Sequence, residues 1–445
     1  MNMAEILSAA KKGVEYGISL GADQVEVCAV NRSQFRVEVR NAHVTGSDVL
    51  EVGGAGVRVY VGRSLGIAST TRLTELRGAV EKAYHLAKGA PADPYFKSLP
   101  EPSKYGTVGG LYSRKLMALT FEELTARFME GVEAAAPESG FTVSGGLARA
   151  AEMSAVVNSL GVEALMREAT ILGNISSKIE KNGDTGLGGE PIIGRSLKEF
   201  DPVKAGSKAA EMALFHLGAK KVTTGTMAVI LDFRTARNSL GGVLDLGANG
   251  LNVALGTSFL SDRIGARVAS PDLSVVDDPH APGGLNSRPF DDEGAPSTKV
   301  EIVEKGILKS FITDSYSAGR LGIPNTGHAR RTGLTSKPTP SLTNIHIAPS
   351  KWKLEELISG TERGVLLENS RLGPQGFSTN VSSMVDRGLY IEKGEVVHPV
   401  KNTMIGTTVF DLLANIDAIT KETLREGGSV SPALRISKVR VAGGL

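Results

Sequence analysis

The residues able to do chemistry gather in the second half of this 445-residue chain. Asp277-Asp278-Pro279-His280 sets two carboxylates beside an imidazole, and Asp291, Asp292 and Glu293 follow shortly after. Oxygen-rich segments of this kind suit a hard divalent cation. The plainer alternative is a solvated loop, because Pro279, Pro282, Gly283 and Gly284 all mark turns. Asp292 and Glu293 can equally accept hydrogen bonds from backbone amides of the next turn. Ser378 is a second candidate, since a serine nucleophile needs a base and an orienting acid, and His328 or His398 could supply the imidazole. Nothing in the spacing demands that assembly, and the Gly-x-Ser-x-Gly elbow is absent, so a hydroxyl at a strand edge is the simpler reading. Arg330-Arg331, with Lys337 nearby, falls between predicted elements and reads either as a solvated basic loop or as a contact for a peptide or a partner chain. Gly53-Gly54-Ala55-Gly56 is not a phosphate loop, because no Gly-Lys-Ser/Thr follows and the next run is a strand.

Composition narrows the classes further. Net charge is +2 and no basic block stands out, which argues against nucleic acid as a partner. Cys28 is the only cysteine, so an internal disulfide and a cysteine-based zinc cluster are both excluded. It sits in the strand-like run Val-Glu-Val-Cys-Ala-Val, where packing is its expected role. No apolar run approaches the ~18 residues needed to cross a bilayer. Glu5, Lys11, Lys12 and Glu15 interrupt the apolar residues of the first segment, unlike a signal peptide. The placement these features imply is cytoplasmic.

A chain of this length exceeds the usual single core, and its 53 glycines, scattered around strand-like runs, signal many turns. Residues 3 to 20 have helical spacing, with Ile6, Ala9, Ala10, Val14 and Ile18 on one face. Strands are expected at 24–30 and 34–39, with Asn31-Arg32-Ser33 as a turn between them, then at 56–61 and 65–70, followed by a helix over 73–87. The middle repeats this grammar: a helix over 121–135, strands over 150–157 and 162–179, a Gly-rich loop over 183–194 and a helix over 201–217. Past a boundary placed near 218–225, a short strand (226–231) leads into a helix (234–246). Beyond Thr298 the pattern is mostly short strands, with hairpin turns at Lys305-Gly306 and Lys393-Gly394. The expected fold is α+β in two domains. Residues 1–219 form an N-terminal α/β domain with a mixed sheet and helices, and residues 220–445 form a strand-rich domain like an open barrel or sandwich.

Four segments stand out: Gly56-Val57-Arg58-Val59-Tyr60-Val61-Gly62-Arg63, then Ser287 to Pro296 (Ser-Arg-Pro-Phe-Asp-Asp-Glu-Gly-Ala-Pro), Asn325-Thr326-Gly327-His328-Ala329 and Gly376-Phe377-Ser378. They resemble the TldD/TldE (PmbA) metalloprotease family, and the resemblance covers nearly the whole chain. The resemblance implies a zinc protease built from two related subunits, one of which carries His-Glu-x-x-x-His on a helix. Here the matching strand is Met227 to Leu231, and the helix after it reads Arg-Thr-Ala-Arg-Asn-Ser-Leu-Gly-Gly-Val-Leu-Asp, with no histidine or glutamate. The segment matching a third, cysteine ligand is Glu426-Gly427-Gly428-Ser429. Asp245 alone falls roughly in register, and one carboxylate will not hold zinc.

By resemblance, then, this is the TldE/PmbA-type subunit, without catalytic or metal-binding residues and inactive without a partner. Zinc and the chemistry are expected in a TldD-type catalytic subunit, with an unfolded peptide as substrate. Substrate-path or interface residues are expected at Asp291, Asp292, Glu293 and Gly294, at His328, Arg330 and Arg331, and at Gly376, Phe377 and Ser378. The alternatives are a stand-alone homodimeric peptide-binding module and an independent metal-dependent hydrolase.

Overall fold

A computed structural model describes residues 2–374, 376–385 and 387–443. The N-terminal half is built from two α-β-β-β-α units. The first runs α1 (Met3–Ser19), β1 (Gln24–Arg40), β2 (His43–Val61), β3 (Ser64–Thr70) and α2 (Leu76–Gly89). After a short helix α3 (Arg114–Met117), the second runs α4 (Phe121–Ala134), β4 (Phe141–Asn158), β5 (Glu163–Lys181), β6 (Asp184–Gly194) and α5 (Pro202–Phe215). Their six strands form one sheet in the order β3-β2-β1-β4-β5-β6, every pair antiparallel. The units meet where β1 pairs with β4, so the sequence repetition becomes an approximate two-fold arrangement about that pair.

Three expectations are corrected here: this sheet is antiparallel throughout rather than mixed, because its strands follow one another by tight hairpins within each unit, and two segments differ from their expected form. Asn31-Arg32-Ser33 is not a turn: β1 continues through it, paired to Gly53, Val52 and Glu51 on one side and to Met153, Glu152 and Ala151 on the other. The polar triplet falls where the strand leaves one hydrophobic core, ending at Ala29, and has not reached the next, beginning at Phe35. The reversal comes instead at Asn41-Ala42, both with positive φ (49° and 60°), as a tight hairpin requires. The stretch 183–194 is largely strand β6 rather than loop. Its glycines are there because α5 lies directly on it: a Cβ on Gly186 or Gly188 would stand 1.9 or 2.0 Å from the carbonyls of Ala213 or Ala209. Composition signalled a loop, and helix-on-strand contact explains the same residues.

Helices cover one face of this sheet. Val25, Val27 and Ala29 point into a core with α1 and α2, and Phe35, Val37 and Val39 into a core with α4 and α5. The even-numbered residues of β1 face the opposite way, toward the C-terminal half.

That half opens with β7 (Gly225–Leu231) and helix α6 (Phe233–Gly247), capped by Asp232 through a bond from Thr235 N. The short strands β8 (Val275–Asp277), β9 (Val300–Glu304), β10 (Ile307–Leu308), β11 (Ala329–Arg330), β12 (Thr339–Pro340) and β13 (Ile345–Ile347) follow. Then come β14 (Arg363–Leu367), β15 (Asn380–Val385), β16 (Gly388–Glu392), β17 (Glu395–Pro399), β18 (Thr403–Thr408), β19 (Ile416–Glu426) and β20 (Ser429–Gly443). All but β11 and β12 join one mixed sheet, parallel at β7–β14 and β13–β20. It has free ends at β10 and β17 and is open rather than closed. Its hub is β20, which pairs with β7, β13, β18 and β19. The hairpins at Lys305-Gly306 and Lys393-Gly394 are present, each turn residue at positive φ. The architecture is α+β with an open, strand-rich C-terminal half.

Candidate functional site

The two halves are joined by a buried charge network. Glu26 on β1 is fully buried and accepts from Arg58 Nε on β2 at 3.0 Å and from Arg331 Nη2. Arg58 Nη2 also reaches Glu293 Oε1 at 2.8 Å across the interface, and Glu293 Oε2 accepts from Ser315 N at 2.9 Å. Burial favours the neutral form of Arg58, yet Glu26 and Glu293 outweigh it and hold the guanidinium well above its usual pKa. Burial likewise opposes the Glu293 charge, while Arg58 and the Ser315 amide keep its carboxyl below the usual range. Close approach of the chains requires Gly56, where a Cβ would lie 2.3 Å from the Leu334 carbonyl. Thus the Gly56–Arg63 segment and the Asp291–Gly294 segment, far apart in sequence, meet through Arg58 and Glu293.

The acidic stretch is not a solvated loop. Asp277 is completely buried at the end of β8, where its carboxylate accepts from Thr343 N and Oγ1 and sits 2.7 Å from His328 Nε2. The other ring nitrogen of His328 lies 2.9 Å from Thr326 Oγ1, so the imidazole pins β8 to the segment before β11. Asp291, also buried, accepts from Glu293 N, Ala295 N and Ala329 N. Burial and the Glu293 charge push it up to about 8, against those amides and Arg288. Asp292 Oδ2 accepts from Arg331 N at 2.6 Å. Gly294 takes a positive φ of 76°, and its carbonyl accepts from Tyr105 Oη at 2.7 Å. Arg331 is engaged internally with Glu26, and Arg330 is exposed. Seven of the expected residues, Asp291, Asp292, Glu293, Gly294, His328, Arg330 and Arg331, therefore converge on this boundary, most of them as supports.

Beside the network lies a cavity of about 340 Å³ between the even face of β1, β4 and β5 and the loops at 285–292 and 330–334. Arg32, Arg288, Arg330 and Arg331 line it with Glu152, Glu168, Asp291 and Asp292, over an apolar floor that includes Val30, Met166 and Phe290. Asn286 also lines a more open groove of about 540 Å³ over α6, together with Arg237, Asn238, Gly241, Gly242, Asp245, Thr343 and Arg371. Cavity and groove therefore adjoin at Asn286, and the groove lies over the helix following β7.

That helix does not fit zinc. Its cleft-facing residues are Arg237, Asn238, Gly241 and Asp245, and the Arg371 guanidinium packs so close that a Cβ on Gly242 would stand 2.5 Å from its Nη2. Arg234 Nε and Arg237 Nη1 bind the two oxygens of Glu426 at 3.0 and 2.8 Å, so the segment 426–429 does meet α6, but through ion pairs. Burial raises Asp245, against the Leu342 amide and Arg371. Among the described residues, no three His, Cys, Asp or Glu side chains come together as a metal site. Cations and an amide stand where a metal would need acids and imidazoles.

Gly376, Phe377 and Ser378 are placed elsewhere, in the exposed loop before β15. Ser378 Oγ accepts from Asn380 N at 3.0 Å, and no hydrogen bond joins it to His328 or His398 among the described residues. Phe377 is 59% exposed, and Met384 and Met404, which face each other across β15 and β18, are 58% and 42% exposed. Sequence reasoning missed Glu26, Arg58 and Arg288. The signal for the first two was a charged residue on the otherwise apolar alternation of a strand, of opposite sign in neighbouring strands. Arg288 gave no signal of its own.

An open two-sheet α+β protein with a charge-lined cavity between its halves, adjoining a groove over the helix after a core strand, is the class these features define. The model of the "PmbA/TldA metallopeptidase C-terminal domain" matches residues 224–443, and that of "PmbA/TldA metallopeptidase domain 1" matches residues 25–87. The chain belongs to this PmbA/TldD family. It is 32% identical to "Metalloprotease MJ0996" of Methanocaldococcus jannaschii over 252 residues, 56% of this chain and 54% of that protein. That match therefore spans only about half of the relative's length. It is 26% identical to "Metalloprotease PmbA" of Escherichia coli O157:H7 over 444 residues, 94% of this chain and 92% of that protein. The crystal structure of TldE from Thermococcus kodakarensis superposes with a TM-score of 0.86 at 21% identity, covering 98% of this chain and all (100%) of that one, a likeness of fold.

Proposed function

We propose that this chain is the non-catalytic subunit of a two-chain peptidase of the family, and that it shapes the path by which an unfolded peptide reaches a zinc site held by a TldD-type partner. The observation that carries this reading is the surface of α6, where Arg237, Asn238, Gly241 and Asp245 lie under the Arg371 guanidinium. Such a surface can bind and orient polar backbone but offers one carboxylate, Asp245, where a zinc site needs three protein ligands and a further carboxylate as base. The charge-lined cavity and the groove that adjoins it at Asn286 support a peptide as the occupant. The exposed Met384 and Met404, paired across β15 and β18 with β15 at the sheet's edge, support a protein partner, because apolar side chains beside a strand edge favour association.

The test is a peptidase assay on an unfolded substrate with this chain alone, a TldD-type chain alone and the two together, each with and without a zinc chelator. Chelator-sensitive hydrolysis that needs both chains is expected. Hydrolysis by this chain alone would refute the assignment, and a stable homodimer that ignores the co-expressed partner would favour the stand-alone binding module.

A further inference from the structure

The cavity between the halves holds more hydrogen-bond donors than its own acceptors use. Arg288 is 2% exposed. Its Nη1 donates to the Ala329 carbonyl at 3.0 Å, its Nε is buried without a partner among the described residues, and its nearest carboxylate, Asp292, is 3.7 Å away. Burial pulls its pKa down, which marks a cation short of compensation. Arg330 lines the same cavity and makes no side-chain hydrogen bond or ion pair among the described residues. Arg32 reaches Glu152 only at 3.9 Å, and its Nε is likewise buried and unpartnered.

The acids of the cavity are in the opposite condition. Glu168 holds Arg195 at 2.6 Å, the oxygens of Asp291 take three backbone amides, and Asp292 takes the Arg331 amide. Burial and the neighbouring Glu168 raise Glu152 toward its neutral form. A buried guanidinium left short of acceptors is costly, so the missing element is an anion with acceptor atoms. The acids rimming the cavity disfavour a dianion, and a planar carboxylate matches the guanidinium fork. The floor of Val30, Met166 and Phe290 offers an apolar side chain a place beside it, and about 340 Å³ suits one residue with part of the next.

We infer that this cavity anchors the C-terminal residue of a peptide, its α-carboxylate on Arg288 and Arg330 and an apolar side chain on Val30, Met166 and Phe290. The preceding residues then run past Asn286 toward the groove over α6. The inference takes from the proposed function only that the occupant is a peptide, and it concerns binding by this chain alone.

The experiment compares binding of an N-terminally dye-labelled Gly-Gly-Ala-Phe free acid with its C-terminal amide to the isolated full chain by fluorescence anisotropy at pH 7. The acid should bind at least about tenfold more tightly, the gain of a charge-assisted hydrogen bond. Arg330→Gln, a change at an exposed side chain, should abolish that preference without shifting the thermal midpoint, and Arg288→Met should do the same if it folds. N-acetylphenylalanine should displace the probe at lower concentration than inorganic phosphate. Equal affinity for acid and amide, an acid preference that survives Arg330→Gln, or stronger displacement by phosphate overturns the anchor. Failure of the peptidase reading would instead appear in the two-chain assay, where binding to this chain alone plays no part.

Discussion

Replacing Arg58 by methionine tests the lock between the two halves most directly. The substitution keeps much of the side chain's bulk while removing the cation shared by Glu26 and Glu293, whose side chains are only 0% and 2% exposed. Glu26 keeps Arg331, whereas Glu293 keeps only the Ser315 amide. Breaking a buried ion pair by removing one member costs about 3–5 kcal/mol, because the remaining charge stays buried and uncompensated. At about 1.4 kcal/mol per tenfold change, the halves should open roughly 10²- to 10⁴-fold more often. Cys28 reports this, since it lines the cavity beside the network and is only 6% exposed. Its alkylation rate in the folded protein should rise by that factor, and the urea midpoint should fall. Arg58→Met combined with Glu293→Gln should be less damaging than Arg58→Met alone, because it also removes the buried Glu293 charge that the single change leaves uncompensated. A change in alkylation rate below about fivefold with an unchanged midpoint would show that the network does not hold the halves together.

Other outcomes follow from single features. Burial pushes the Cys28 thiol from 9.0 up to about 12, so at pH 8 the folded protein should react with a disulfide reagent about 10³-fold more slowly than the urea-unfolded chain; comparable rates would refute this. Burial and the Glu293 charge raise Asp314 from 3.8 to about 6. A carboxyl whose folded pKa is raised gives stability that is full below 3.8 and lost as pH climbs through about 6. Asp314→Asn should therefore flatten the decline in melting temperature over that window, and an unchanged slope would count against it. Gly56→Ala places a methyl group 2.3 Å from the Leu334 carbonyl and should destabilise by about 1–3 kcal/mol, read as a lower denaturation midpoint.

Periodicity made most helices and many strand ends legible, because helical spacing and alternation are local properties. α1, α4, α5 and α6 and the hairpins at Lys305-Gly306 and Lys393-Gly394 fall close to where their patterns put them. It failed at Asn31–Ser33 and at Gly183–Gly194, where polar or small residues reflected neighbours remote in sequence. The candidate site was only partly readable. Resemblance pointed to Asp291–Gly294 and His328–Arg331, but the residues that engage them, Glu26, Arg58, Asp277 and Ser315, come from other strands and loops.

Sequence alone determined what chemistry the chain's residues can and cannot do. One cysteine rules out a disulfide and a cysteine cluster, and the run from Arg234 to Asp245, without histidine or glutamate, cannot supply a helical His-Glu-x-x-x-His set whatever the fold, because ligand identity is a property of composition. Only the tertiary structure decided which charges are spent and which are spare. Asp277, Asp291 and Glu293 read as an open acidic segment until burial and partners such as His328, three backbone amides and Arg58 are counted. Arg288 reads as ordinary until its lack of a close carboxylate is seen. Charge compensation is a matter of distance in space, and the distances that matter here join residues such as Arg331 and Glu26, 305 positions apart.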